Sequence, residues 1–471
     1  MSSTAIVWFR RDLRLSDHPA LDRARRDHEC IVPVFIDDAA AEGDWARGAA
    51  SRWWLHHSLA ELSQRLRERG SALVIVRGDS LEVLRRIRNA SGAEAVYWNR
   101  VYEPALVERD RAIKRALRAD GLTVESCNGS LLFEPWQLCK EDGTPYRVFT
   151  PFWKQMQKRW TASAACPEPR QLAAPKRWPA SLELEELELL PSLGWADGFK
   201  NHWSPGELGG RRRLQYFTQE AVGDYDSRRD RPDIEGTSRL SPHLHFGELS
   251  PAQIARALEE SGELPTGKGR WSYLREIAWR EFSTHLLFHY PQLADKPLNP
   301  AFESFPWRRR ADYRVDLEAW QRGSTGIPLV DAGMRELWAT GWMHNRVRMV
   351  VASFLTKNLL VPWQEGARWF WDTLVDADLA NNTQGWQWTA GCGADAAPYF
   401  RVFNPLLQGE KFDPDGRYVR RWCPELADRK GKQIHQPLNP RESNHFGYPL
   451  PCVDLKRSRQ RALEAWQGIR S

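Results

Sequence analysis

The segment DADLANNTQGWQWTAGCG, residues 376–393, crowds two carboxylates (Asp376, Asp378), two amides (Asn381, Asn382) and two indoles (Trp386, Trp388) into a stretch too polar to be simple core. Carboxylates and amides offer both hydrogen-bond donors and acceptors, and indole stacks on flat rings and can pass electrons through its π system. Two other segments repeat this mixture. In LREIAWREF, Glu276, Trp279 and Arg280 fall at i, i+3 and i+4, so one helical face presents a carboxylate, a large ring and a guanidinium. In GWMHNRVRMVVASFL, Asn345, Arg348, Met349 and Ala352 share a face, while Val347, Val350 and Val351 can turn into a core. A core tryptophan beside a surface ion pair would account for either helix alone. Their joint occurrence suits an aromatic, heteroatom-rich ligand.

These faces need elements to position them. Over the first 130 residues the apolar runs AIVWF, CIVPVFID, ALVIVRG, AVYWN and TVESC alternate with amphipathic pieces such as SRWWLHHSLAELSQRLRERG, which predicts a doubly wound parallel α/β sheet. The first strand leads into VWFRRDLRLSD, where a dinucleotide fold would carry GxGxxG, and Walker A is also absent. Dehydrogenase and P-loop chemistry are therefore unsupported. Residues 131–205 are assigned to a connection that becomes Pro-rich and then acidic, and residues 206–471 to an all-helical unit with helical patterns at 271–289, 328–340 and 342–360.

No apolar run approaches the roughly 18 residues of a membrane span, AIVWF is too short for a secretory signal, and the seven scattered cysteines form no CxxC pair. A reduced, cytoplasmic, monomeric protein is expected. His285 and His289 have metal-pair spacing but lack the glutamate of HExxH, so no metal is assigned. The net charge of +6 is modest, yet basic runs such as WRRRADYR, MHNRVRM and RYVRRW gather in the second half, compatible with a polyanion. There are 24 tryptophans, most of which must serve packing; a flavin beside DNA would use the remainder for stacking and for electron transfer.

VWFRRDLRLSDHPAL, GTSRLSPHLHFGELSP, WREF, TGWMHNRVRM, DADLANN, GWQW and DAAPYFRVFNP, in this order, closely resemble the DNA photolyase and cryptochrome family over essentially the whole chain. The resemblance implies an α/β antenna domain, a helical domain holding FAD, and blue-light repair of cyclobutane pyrimidine dimers in UV-damaged DNA. By motif, Tyr225, Thr237, Ser238, Arg239, Leu240 and Ser241 match the segment binding the cofactor's phosphates and ribityl chain. Arg280, Asn345, Arg348, Asp376, Asp378 and Asn382 match residues around the flavin ring, with Asn382 near N5. Trp386, Trp363 and Trp307 match a three-tryptophan electron relay. Glu276, Trp279, Met349 and Trp388 match the pocket for a flipped-out dimer, and Arg229, Arg346, Arg401 and Lys411 match positions that contact DNA phosphates.

Asparagine at 382 is similar to repair-type members, whereas plant cryptochromes carry aspartate there. His344–Asn345 departs from the histidine pair of (6-4) photoproduct enzymes. Cyclobutane-dimer repair is thus expected, with a cryptochrome-type blue-light receptor as the alternative. The resemblance also implies a second, antenna chromophore. Glu108 matches the acidic residue of the folate motif, but Val107 and Asp295 replace its polar and basic partners; methenyltetrahydrofolate is expected, with a deazaflavin or an empty site as alternatives.

Overall fold

A computed structural model describes residues 3–160, 165–262, 268–396 and 400–469 of the chain. The five apolar runs form strands β1 (Thr4–Phe9), β2 (Cys30–Asp37), β3 (Val74–Arg77), β4 (Ala95–Asn99) and β5 (Thr123–Cys127). They lie in the order β3-β2-β1-β4-β5, and every pairing is parallel. Helices cover both faces, which explains why the strands read as continuous apolar runs. Ala5, Val7 and Phe9 enter one core while Ile6 and Trp8 enter the other.

The segment after β5 is built into both halves. Its helix Phe149–Arg159 sends Phe149, Phe152, Trp153 and Met156 into the helical core, whereas Leu172, Leu187, Phe199 and Trp203 pack against the α/β core. Phe246, Trp342 and Val375 of the helical half also pack into that α/β core.

Arg14 joins the halves. Fully buried, its guanidinium donates to the carbonyls of Ser16, Asp17 and Gly129 on one side and Gly247 on the other. Replacing it with Met would leave these buried acceptors without their donor, at a cost of about 3 kcal/mol or more. A clearly lower thermal-unfolding temperature is expected; an unchanged one would mean that the interface reorganises around the loss.

In the helical half, the pattern at 271–289 corresponds to the helix Lys268–His289 and that at 328–340 to Pro328–Thr340. The pattern at 342–360 is interrupted at both ends. Its helix begins at Asn345, where the His344 Nδ1 caps the Arg346 N–H at 3.1 Å, and gives way after Ser353 to a π turn over Phe354–Asn358. His285 Nδ1 and His289 Nε2 each lie 3.1 Å from the Pro135 carbonyl oxygen, so both rings anchor the connecting segment. Among the described residues no group of His, Cys, Asp and Glu side chains is arranged to hold a metal, and no helix is long and apolar enough to cross a membrane.

Candidate functional site

Four helices and the turn before the last of them line a cavity of about 490 Å³, with Trp363–Thr373 contributing Phe370. Lys268–His289 contributes Glu276, Trp279, Arg280 and Ser283; Asn345–Ser353 contributes Asn345, Arg346, Arg348, Met349 and Ala352; and Leu379–Ala390 contributes Asn381, Asn382, Trp386 and Trp388, with Asp376 and Asp378 just before it. The faces read from helical spacing therefore meet around one space. Arg229 reaches the same wall.

Local chemistry sets each side chain. Asp378 is the N-cap of its helix and accepts from the Asn381 backbone N–H at 2.9 Å and from its side-chain amide at 2.8 Å. Burial works against its charge, but His245, Arg280 and the Asn381 N–H outweigh that cost and hold its pKa below the ordinary carboxylate range. Asp376 accepts both 2.8 and 3.1 Å hydrogen bonds from Arg348 Nη2 and a 2.6 Å bond from Ser241 Oγ. Asn382 donates one amide N–H to the Ala367 carbonyl at 2.9 Å, which fixes the amide and leaves its oxygen and second N–H for a ligand.

Opposite these polar groups the wall is aromatic. Trp279 stacks face to face on Phe149, with ring centres 3.6 Å apart and planes 8° from parallel. Glu276 pairs with Arg229 at 2.6 Å. The Arg401 guanidinium lies 5.8 Å from the Trp388 ring, Arg346 bonds Asp230 at 2.8 Å and covers Phe412, and Lys411 is exposed beside that same ring. Burial pushes the His344 pKa down to about 3, leaving a neutral ring that can accept the Arg346 N–H.

Trp386 is 2% exposed, and its Nε1 is buried without a hydrogen-bond partner in the wall of the cavity. Its ring neighbours are Phe370 at 5.0 Å and Trp320 at 6.2 Å. Trp363 is equally buried at the start of the helix Trp363–Thr373, and Trp307 is half-buried against Phe305; neither lines the cavity.

The 237–241 segment approaches through Ser241 rather than by lining the cavity. Arg213 clamps the Thr237 and Ser238 carbonyls, Tyr273 donates to Ser238 Oγ, and Tyr225 packs edge-on against Tyr273. Leu240 is buried. Arg239 adopts φ 52°, a left-handed conformation unusual for a non-glycine residue, and its guanidinium lies 4.8 Å from the Trp342 ring.

The residues present fit a flavin dinucleotide. The cavity has the size of a cofactor site, one edge is lined with fixed donors and acceptors, and an orphaned indole N–H stands in its wall. The sequence reading missed Phe149, which fixes Trp279 from 130 positions earlier in the chain. It also missed Gly366: a Cβ there would lie 2.0 Å from Trp386 Cη2, so the indole rests directly on the neighbouring helix. A glycine inside a helix was the available signal.

Comparison with known proteins bears on the family of the chain. Residues 5–171 match the family model for DNA photolyase, and residues 273–468 match the FAD binding domain of DNA photolyase. A deoxyribodipyrimidine photo-lyase from Agrobacterium fabrum is 47% identical over 100% of this chain and 98% of its own length. Cryptochrome-1 of Arabidopsis thaliana is 39% identical over 98% of this chain and 70% of its own. Among solved structures, a class III photolyase from Agrobacterium tumefaciens superposes with a TM-score of 0.94 at 47% identity, covering 100% of this chain and 98% of that one. With relatives this similar over its full length, the chain belongs to the DNA photolyase and cryptochrome family.

Proposed function

We propose that the protein is a light-driven DNA-repair enzyme that binds FAD in the 490 Å³ cavity and splits cyclobutane pyrimidine dimers. The observation that carries this reading is the presence of Glu276, Trp279, Met349 and Trp388 on the same cavity as the Arg348–Asp376 pair, Asn382 and Trp386. A slot for a flat, apolar lesion and a cradle for a redox cofactor thus share one space. FAD, when bound fully reduced, supplies on absorbing blue or near-UV light the electron that opens the dimer and then recovers it, with no net redox change.

The chain's residues then have distinct tasks. Arg280, Arg348, Asp376, Asp378 and Asn382 would hold the ring system, while Tyr225, Thr237, Ser238, Arg239, Leu240 and Ser241 would hold the rest of the cofactor. Trp279 and Trp388 would enclose the unstacked dimer, with Met349 completing the apolar wall and Asn345 at its edge. Glu276 would hydrogen-bond a pyrimidine edge. Arg229, Arg346, Arg401 and Lys411 would meet phosphates at the mouth, and Trp386, Trp363 and Trp307 would resupply electrons. Neutralising Arg346, Arg401 or Lys411 should weaken damaged and undamaged DNA alike and flatten the salt slope by about one unit each; a loss confined to damaged DNA would move that residue into the lesion pocket.

For the antenna we propose methenyltetrahydrofolate, which the match of Glu108 to the acidic residue of the folate motif supports; chromophore extraction and an absorption spectrum of the purified protein test it, and a deazaflavin spectrum would overturn it.

The test of the reaction is illumination of dimer-containing DNA with the pre-reduced protein, following recovery of pyrimidine absorbance. Glu276→Ala should lower repair yield at least tenfold while leaving flavin absorption intact. Bound, photoreducible FAD without any repair would instead favour the cryptochrome-type receptor; repair restricted to (6-4) photoproducts would overturn the dimer assignment.

A further inference from the structure

Between the two halves lies a second, smaller cavity of about 50 Å³. Its polar lining comes from both sides: Arg11, Glu103 and Ser130 from the α/β side, and His245, Arg280 and Asp378 from the helical half. Arg280 and Asp378 also line the large cavity, so the two spaces share a wall.

Two polar atoms in this wall are left over. His245 is 6% exposed, and its Nδ1 has no hydrogen-bond partner, standing 3.7 Å from Asp378 Oδ2. Glu103 places Oε1 on Arg11, but its Oε2 is buried and unpaired. Orphaned polar atoms around a polar void are the setting in which water is retained, and 50 Å³ exceeds the roughly 10–15 Å³ one molecule requires.

The other groups around the large cavity are poorly suited to moving a proton. Amides do not titrate near neutrality and guanidinium does not release its proton. Asp376 is held by Arg348 and Ser241, and Glu276 by Arg229. Asp378 differs, because its second oxygen points to a titratable ring that reaches the other cavity. Burial raises the Glu103 pKa despite the opposing Arg11, which favours a carboxyl able to carry a proton. The charged groups that line this cavity with His245 are therefore Asp378 and Arg280 from one half and Glu103 and Arg11 from the other, while Glu42 and Arg47 share the neighbouring crevice with it.

Resting on the FAD reading above, we propose that this water-holding cavity is a proton inlet to the flavin pocket, with Glu103 as its outer acid and His245 as its relay. Full reduction of FAD takes up two electrons and one proton, FAD + 2e⁻ + H⁺ → FADH⁻. The electrons come from a thiol reductant in solution by way of the aromatic relay, 2 RSH → RSSR + 2e⁻ + 2H⁺, and the protons of that oxidation are left in the solvent. The proton passes from solvent through Glu103 and water to one nitrogen of His245, the other nitrogen gives one up toward the flavin pocket, and Asp378 stabilises the transient imidazolium. Glu103, His245 and Asp378 end in their starting protonation states.

The experiment follows flavin absorption during photoreduction of the FAD-loaded protein with a thiol donor and reads the rate of proton uptake by the flavin itself, since the overall reaction FAD + 2 RSH → FADH⁻ + RSSR + H⁺ releases a proton to the medium. His245→Ala should slow uptake at least tenfold, and added imidazole should restore it, which a purely structural defect would not allow. Glu103→Gln should slow it as well, with FAD content and absorption unchanged. Wild-type uptake rates in both variants would overturn the inlet. A high-resolution crystal structure of the wild type adds a readout independent of turnover: ordered water in the cavity is expected, and a dry cavity would overturn the proposal. Absence of FAD from the purified and reconstituted wild type would instead sink the cofactor reading, so the two failures are distinguishable.

Discussion

Asp376→Ala is expected to lower FAD affinity by about 30- to 100-fold. Its carboxylate holds Arg348 through two hydrogen bonds and fixes Ser241 through a third, so it links two of the segments proposed to grip the cofactor. Removing one member of a buried pair leaves the partner's charge uncompensated, which costs about 3–5 kcal/mol when fully buried. Arg348 keeps 24% of its side chain exposed, so water softens that penalty to about 2–3 kcal/mol. The flavin-to-protein absorbance ratio after dialysis measures it directly. Asp376→Asn should fall between, keeping the hydroxyl contact without the charge; full flavin occupancy in the alanine variant at dilute concentration would remove Asp376 from the cofactor site.

The second large effect concerns electron supply. Trp386→Phe should slow photoreduction of oxidised FAD at least tenfold while leaving repair largely intact once the flavin is chemically reduced, because the ring keeps its packing but loses its readily oxidised indole. Gly366→Ala attacks the same function without deleting an aromatic ring. Its new methyl would occupy the seat of the Trp386 six-membered ring, forcing the indole off the neighbouring helix at a packing cost of at least about 1–3 kcal/mol. Lower thermal stability and slower photoreduction should appear together. Wild-type photoreduction in Trp386→Phe would show that another aromatic group is the first donor.

Much of this site was legible because it depends on short-range periodicity. Glu276, Trp279 and Arg280 share a face in any helix, as do Asn345, Arg348 and Met349, and both faces do line the cavity. The strands were legible for a related reason: burial on two faces removes polar alternation and leaves unbroken apolar runs. Illegible features depend on contacts between distant segments. Nothing near Asp378 announces His245, 133 positions earlier, and nothing near Arg14 announces the Gly247 carbonyl. Helix ends were misjudged where a side chain decided them, as with the His344 cap that moves the start of its helix to Asn345. Assigning individual tryptophans to a relay needed resemblance to a family, since spacing alone does not separate Trp363 or Trp307 from core.

The interlocked halves limit how this architecture can be rearranged. Phe246, Trp342 and Val375 are plugs from one half seated in the core of the other, and Arg14 is a rivet between them. The α/β half is consequently no exchangeable cassette. A transplanted α/β unit would need matching sockets for three foreign side chains and acceptors for a buried guanidinium, so successful chimeras should cross over within the interlock, exchanging plug and socket together.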